Sequence, residues 1–139
     1  MKKALAGVMA AAAFLMGAGT ALGAADWRDM QTLSSSGVRF LEGEYRFNPA
    51  GQNHGAFEWK GGLKDANAQD GHNVYMLVRV ESHGWVRYNG KQGKTVSLHH
   101  SNWDGAQRYT DDAEIKACRN RGSLHPDNCS HTKSYSSGR

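Results

Sequence analysis

The chain has 139 residues, with 17 Lys and Arg against 13 Asp and Glu, for a formal net charge of +4. Two of those cations, Lys2 and Lys3, sit in an N-terminal segment that reads as removable, which leaves 15 basic and 13 acidic residues and a net of +2. So even a balance argues against nucleic acid, whose binding takes a clustered basic face. No apolar run after the first two dozen residues approaches the roughly 20 needed to span a bilayer.

Met1-Lys2-Lys3 is a short positive head, followed by an apolar run from Ala4 to Leu15 broken by Gly7. Small residues then extend from Gly17 to Ala25 apart from Leu22. This order predicts a secretory signal peptide over residues 1–25. Cleavage fits after Gly23, with Ala21 and Gly23 as the small side chains, or after Ala25, with Gly23 and Ala25. No cysteine is close enough to take a lipid, and the run has no polar face to make it an amphipathic helix. The expectation is a secreted, extracellular protein with no membrane association after cleavage.

Residues 26–139 have the size of one domain. Leu, Ile, Val and Phe supply only 16 of these 114 residues, while four Trp, five Tyr and three Phe supply the bulk. Large rings bury large areas, so the core is expected to be aromatic and near the lower limit of what burial alone stabilises.

Residues 26–37 read as a polar lead-in. Val38 to Phe47 alternates as a strand, with Leu41, Tyr45 and Phe47 on one face and Val38 and Phe40 on the other. A loop over 48–55 follows. Extended chain resumes at Ala56-Phe57-Glu58-Trp59, Gly61-Gly62 marks a turn or bulge, and Leu63 continues. The clearest strand is Val74 to Val80, with Val74, Met76, Val78 and Val80 facing one way. After Ser82-His83-Gly84 comes Trp85 to Tyr88, then Asn89-Gly90, a hairpin signal with a return strand from Thr95 to His100. Ala113 to Ala117 is expected to be the last strand, with Ala113, Ile115 and Ala117 inward. Residues 131–139 read as a disordered tail. The fold class is all-β: a small antiparallel sandwich or barrel of about five to seven strands over 38–130.

Cys118 and Cys129 are the only cysteines. In an exported chain an even count implies a disulfide, here closing a C-terminal loop. Free thiols and a zinc site completed by His125 and His131 are the alternatives, but an oxidising compartment disfavours free thiols and no usual zinc-ligand spacing is present. His99 and His100 are adjacent on a strand and so point to opposite faces. His54, His72 and His83 read as turn residues. Asp111, Asp112 and Glu114 lack the spaced oxygens of a calcium loop. No cofactor motif, nucleophile elbow or metalloprotease helix motif occurs.

Trp59, Trp85, Trp103 and Tyr88 are the candidate ligand-binding rings, with core packing as the competing role for each. Trp103 is the best candidate, because Ser101, Asn102, Asp104 and Gly105 around it are polar. The segment from Cys118 to Cys129, with Asp70-Gly71-His72-Asn73-Val74-Tyr75 and Gly84-Trp85, resembles small exported actinobacterial proteins of unknown function. The resemblance implies export, a β domain and the disulfide, and carries no activity. The function expected is non-catalytic binding of an extracellular carbohydrate or protein. A toxin or enzyme inhibitor acting through loop 118–129, and a small hydrolase, are the alternatives.

Overall fold

The computed structural model describes residues 25–67 and 71–139, so the expected signal peptide lies outside the described residues except for Ala25. Among the described residues ten strands form: β1 (Arg28–Asp29), β2 (Leu33–Ser35), β3 (Val38–Phe47), β4 (Phe57–Asp65), β5 (Val74–Val80), β6 (Val86–Asn89), β7 (Thr95–Asn102), β8 (Asp112–Arg119), β9 (Asn128–Cys129) and β10 (Lys133–Ser136). One sheet runs β1-β3-β4-β7, with β2 also on β3; the other runs β10-β8-β5-β6, with β9 also on β8. Every pairing is antiparallel. The class is the all-β one expected, and two separate sheets make it a sandwich rather than a barrel.

Period-two patterning accounts for the second sheet. Val74, Met76, Val78 and Val80 of β5 and Ala113, Ile115 and Ala117 of β8 are all buried. They meet Phe40, Phe57, Trp59 and Leu63 from the first sheet in one core cluster. Trp59 is fully buried; its indole N–H donates to Asn102 Oδ1 at 2.9 Å, which satisfies the group that makes a buried Trp costly.

In the first sheet, β3 departs from simple alternation. Val38, Phe40, Tyr45 and Phe47 are all buried, although 38 and 40 differ in parity from 45 and 47. The pairing of β3 with β4 slips between Leu41 and Glu44. This bulge turns the strand over once, so both halves present rings to the core, and the two-face reading from sequence is corrected. Glu42, at the bulge, adopts φ 53°. Gly61 is the single residue opposite the slip, between the paired Lys60 and Gly62, so the irregularity expected at Gly61-Gly62 is this bulge rather than a turn, with its extra residue on β3 while β4 runs straight through.

Three other expectations are revised. The 26–37 lead-in contains β1 and β2, and Met30 and Leu33 enter the core. The 131–139 tail contains β10, which pairs with β8 and sets the Tyr135 ring 4.0 Å from that of Tyr45. Asn89-Gly90 makes no hairpin: β6 pairs with β5 while β7 pairs with β4, so the chain crosses between sheets. At the crossing, Gly90 N–H donates to Val74 O at 2.8 Å, and a Cβ on Gly90 would lie 2.9 Å from Val74 Cγ2. This glycine serves a close approach rather than a tight turn.

Cys118 and Cys129 form the expected disulfide and face each other across β8 and β9. Among the described residues, no helix is long and apolar enough to cross a membrane.

Candidate functional site

The four candidate rings separate into different roles. Trp59 is core, which removes it as a binding residue, because a strand with so few aliphatic neighbours uses the indole as its main buried mass. Tyr88 is half-buried. Its hydroxyl accepts from Asn102 Nδ2 at 2.8 Å, and its ring packs 5.3 Å from Trp59 and 4.1 Å from His100. Burial pushes the Tyr88 phenol up, against the hydrogen bond from Asn102, and burial followed by the His99 charge pushes the His100 imidazole down. Trp85 is partly exposed on the outer face of the second sheet. Arg79 lies 4.5 Å and Lys116 4.6 Å from its ring centre, and Arg79 is itself held by a two-pronged bond to Glu114. Cations already occupy this ring.

Trp103 is different. It is 43% exposed and stacks on His54 at 4.1 Å with the planes 6° apart. The residues beneath the stack explain its position. Asn53 and His54 both take positive φ, and Gly55 has φ 61°. Thr110 N–H donates to Gly55 O at 2.8 Å, and a Cβ on Gly55 would meet Arg108 O at 2.5 Å. Loop 53–55 is thus pinned against 108–110, and Trp103 leaves the end of β7 beside it. Trp103 also lines an open groove of about 280 Å³ with Arg79, His83, Val86 and Asp104. Val86 is 45% exposed. His83 Nε2 lies 2.9 Å from Asp104 Oδ2, and Asp104 also accepts from Ala106 N–H. The Ala106 amide, then His83, hold the Asp104 carboxyl below its usual range.

A second constellation, which the sequence reading missed, lies on the outer face of the first sheet. Glu58 is buried there and accepts from Arg46 Nε at 2.9 Å and Asn48 Nδ2 at 3.0 Å, with His99 Nε2 at 2.6 Å. Burial pushes its carboxyl up, but hydrogen bonds from Asn48, His99 and Arg46, with the Arg46 charge, outweigh this and lower it to about 2. Trp27 covers the network, 4.3 Å from Arg46 and 4.1 Å from Lys60. Ser101 is the nearest hydroxyl along β7, and Asn53 Nδ2 donates to it at 2.8 Å. The only sequence signal for this set is that charged residues fill the outward positions of β3 and β4.

The stapled loop is exposed from Arg121 to Asp127, and Leu124 at its tip is 90% exposed. Its base is braced by the disulfide, by the Tyr75 hydroxyl donating to Asp127, and by Asn128, which donates to Ser36 O at 2.7 Å. Burial, then Asp127, push the Tyr75 phenol up to about 12.

Fold and sites together define a disulfide-stapled antiparallel β-sandwich with a backed, exposed tryptophan at one end. No family model, curated protein or solved structure matches the chain.

Proposed function

We propose that the chain is an exported, non-catalytic binding domain that takes an extracellular carbohydrate at Trp103. The observation that supports this reading is the pre-built stack: His54 backs an indole that remains 43% exposed. A flat exposed ring covers the apolar face of a sugar ring, and rigid backing lowers the ordering cost of binding. The exposed Val86 adds apolar area, and His83 and Asp104 supply a polar rim. The signal-peptide pattern and the disulfide favour an extracellular setting.

Paired variants test it. Trp103→Ala should lower retention on insoluble polysaccharide or cell-wall material tenfold or more. It should cost roughly 1 kcal/mol or less of stability, as exposed positions do. Trp59→Ala empties the core and should cost about 3–5 kcal/mol. Unchanged retention in Trp103→Ala, or a melt as damaged as that of Trp59→Ala, refutes the reading.

The exposure of Leu124 supports a second reading, in which the braced loop presses one apolar side chain into a target protein, as a toxin or inhibitor would. Leu124→Asp should then abolish target binding and leave carbohydrate retention intact.

A further inference from the structure

Two adjacent glycines in the middle of β4 stand for different reasons. A glycine inside a strand costs about 0.5–1 kcal/mol against alanine, so each calls for a cause. Gly61 has one in the core: a Cβ there would lie 2.4 Å from Phe40 Cζ. Gly62 faces the opposite way and has no packing cause. A Cβ there would meet Thr95 Cγ2 at 3.4 Å and Leu41 O at 3.8 Å, both ordinary contacts, and its backbone is extended without positive φ. Packing admits a side chain at 62 that the sequence withholds. Gly62 pairs with Leu41 at the edge of the β3 slip, and a strand glycine marks either such a bulge or a place where something else approaches the backbone.

What Gly62 leaves open is a trough of about 430 Å³ on the outer face of the first sheet. Gly61 and Gly62 form its floor, and Glu42, Glu44, Lys60, Thr95, Ser97 and His99 supply its polar walls. Most of the charged groups are held in place. Lys60 Nζ is 3.2 Å from Glu44 Oε2 and 4.1 Å from the Trp27 ring; His99 is tied to Glu58. Glu42 is the exception. The β3 bulge sets it at φ 53° on the rim, and among the described residues its carboxylate has no hydrogen-bond or ion-pair partner. The residue therefore keeps a strained conformation and a free acceptor at one place.

The mixture indicates the ligand class. Carboxylates, hydroxyls, an ammonium and an imidazole line one shallow surface, so the trough offers donors and acceptors side by side. The carboxylates oppose an anion or a phosphate backbone. No group of three or more His, Cys, Asp or Glu among the described residues is arranged to hold a metal ion. A ligand whose own groups both donate and accept, and which is flat enough to lie on bare backbone, is a sugar ring. We infer that the Gly61–Gly62 trough is a carbohydrate-binding site, separate from the Trp103 groove, in which the ring lies on Gly62 and its hydroxyls donate to Glu42 and Glu44.

The test is a backbone-amide NMR titration of the protein with soluble cellohexaose, chitohexaose, xylohexaose and maltohexaose. At least one should shift the amides of Gly61, Gly62 and Ser97 in a saturable way. Gly62→Val fills the floor and should raise Kd for that sugar at least tenfold, with a melting temperature equal to or above that of the parent. Glu42→Gly removes the carboxylate and relieves the positive φ; it should weaken binding by a similar factor while keeping the fold. Trp103→Ala should leave the trough shifts in place, which separates failure of this site from failure of the Trp103 groove. No shift at these amides with any of the four sugars overturns the inference. So does unchanged affinity in a folded Gly62→Val or Glu42→Gly.

Discussion

Replacing Glu58 by glutamine isolates the electrostatics of the outer network. The Glu58 carboxyl sits at about 2 in the fold against 4.5 for an unperturbed group. At about 1.4 kcal/mol per tenfold, that difference corresponds to about 3 kcal/mol of folding free energy carried by the ionised form. The folded carboxyl is the more acidic one. Its contribution is therefore complete above pH 4.5, declines as pH falls, and is gone below about pH 2. Glu58→Gln keeps the shape and an acceptor but leaves Arg46 facing a neutral amide. Thermal melts of parent and variant at several pH values measure the gap between them. At pH 7 the variant should melt about 10 °C or more below the parent, on the usual relation between free energy and melting temperature for a domain of this size. The gap should close as pH drops from 4.5 towards 2. A gap under a degree or two at pH 7, or one that stays constant down to pH 2, refutes the reasoning.

Cys118 and Cys129 should resist alkylation until reductant is added. Reduction should cost about 3 kcal/mol, because the bridge closes a loop across a separation of 11 residues; equal alkylation with and without reductant is the contrary result. Gly61→Ala should destabilise by about 1–3 kcal/mol through the clash with Phe40, while Gly62→Ala should be neutral to stabilising by up to about 1 kcal/mol. Equal chemical-denaturation midpoints for the two variants would contradict the assignment of faces on β4. Intact mass spectrometry of the exported protein should find it beginning at Ala24 or Asp26; a full-length chain held in the cytoplasm contradicts export.

Much of the second sheet was legible from residues alone. Val74 to Val80 and Ala113 to Ala117 alternate cleanly, and each buries the side chains its period assigns to the core. The first sheet was harder to read. A single extra residue between Leu41 and Glu44 shifts the parity of β3, and pattern matching has no means of locating the slip without the partner strand. The shortest strands escaped for a related reason. Two to four residues of mixed polarity, as in Arg28–Asp29 or Lys133–Ser136, have no period to detect and form because a longer strand offers them an edge. Asn89-Gly90 carried a strong local signal that lost to tertiary pairing, since β7 found β4 rather than β6.

The candidate sites divide in the same way. Trp103 was readable as exposed from its polar neighbours. Its backing by His54 was not, because nearly fifty residues separate them and only the pinned 53–55 loop brings them together. Glu58, Arg46, Trp27 and His99 are spread along the chain and converge through strand register. The residues by themselves determined the all-β class, the pairing of the two cysteines and the inner faces of β5 and β8, because each depends on composition or on a period of two. Only the tertiary structure decided which tryptophan is core, where β3 turns over and which residues line the trough at Gly62, because each depends on a neighbour distant in sequence and close in space.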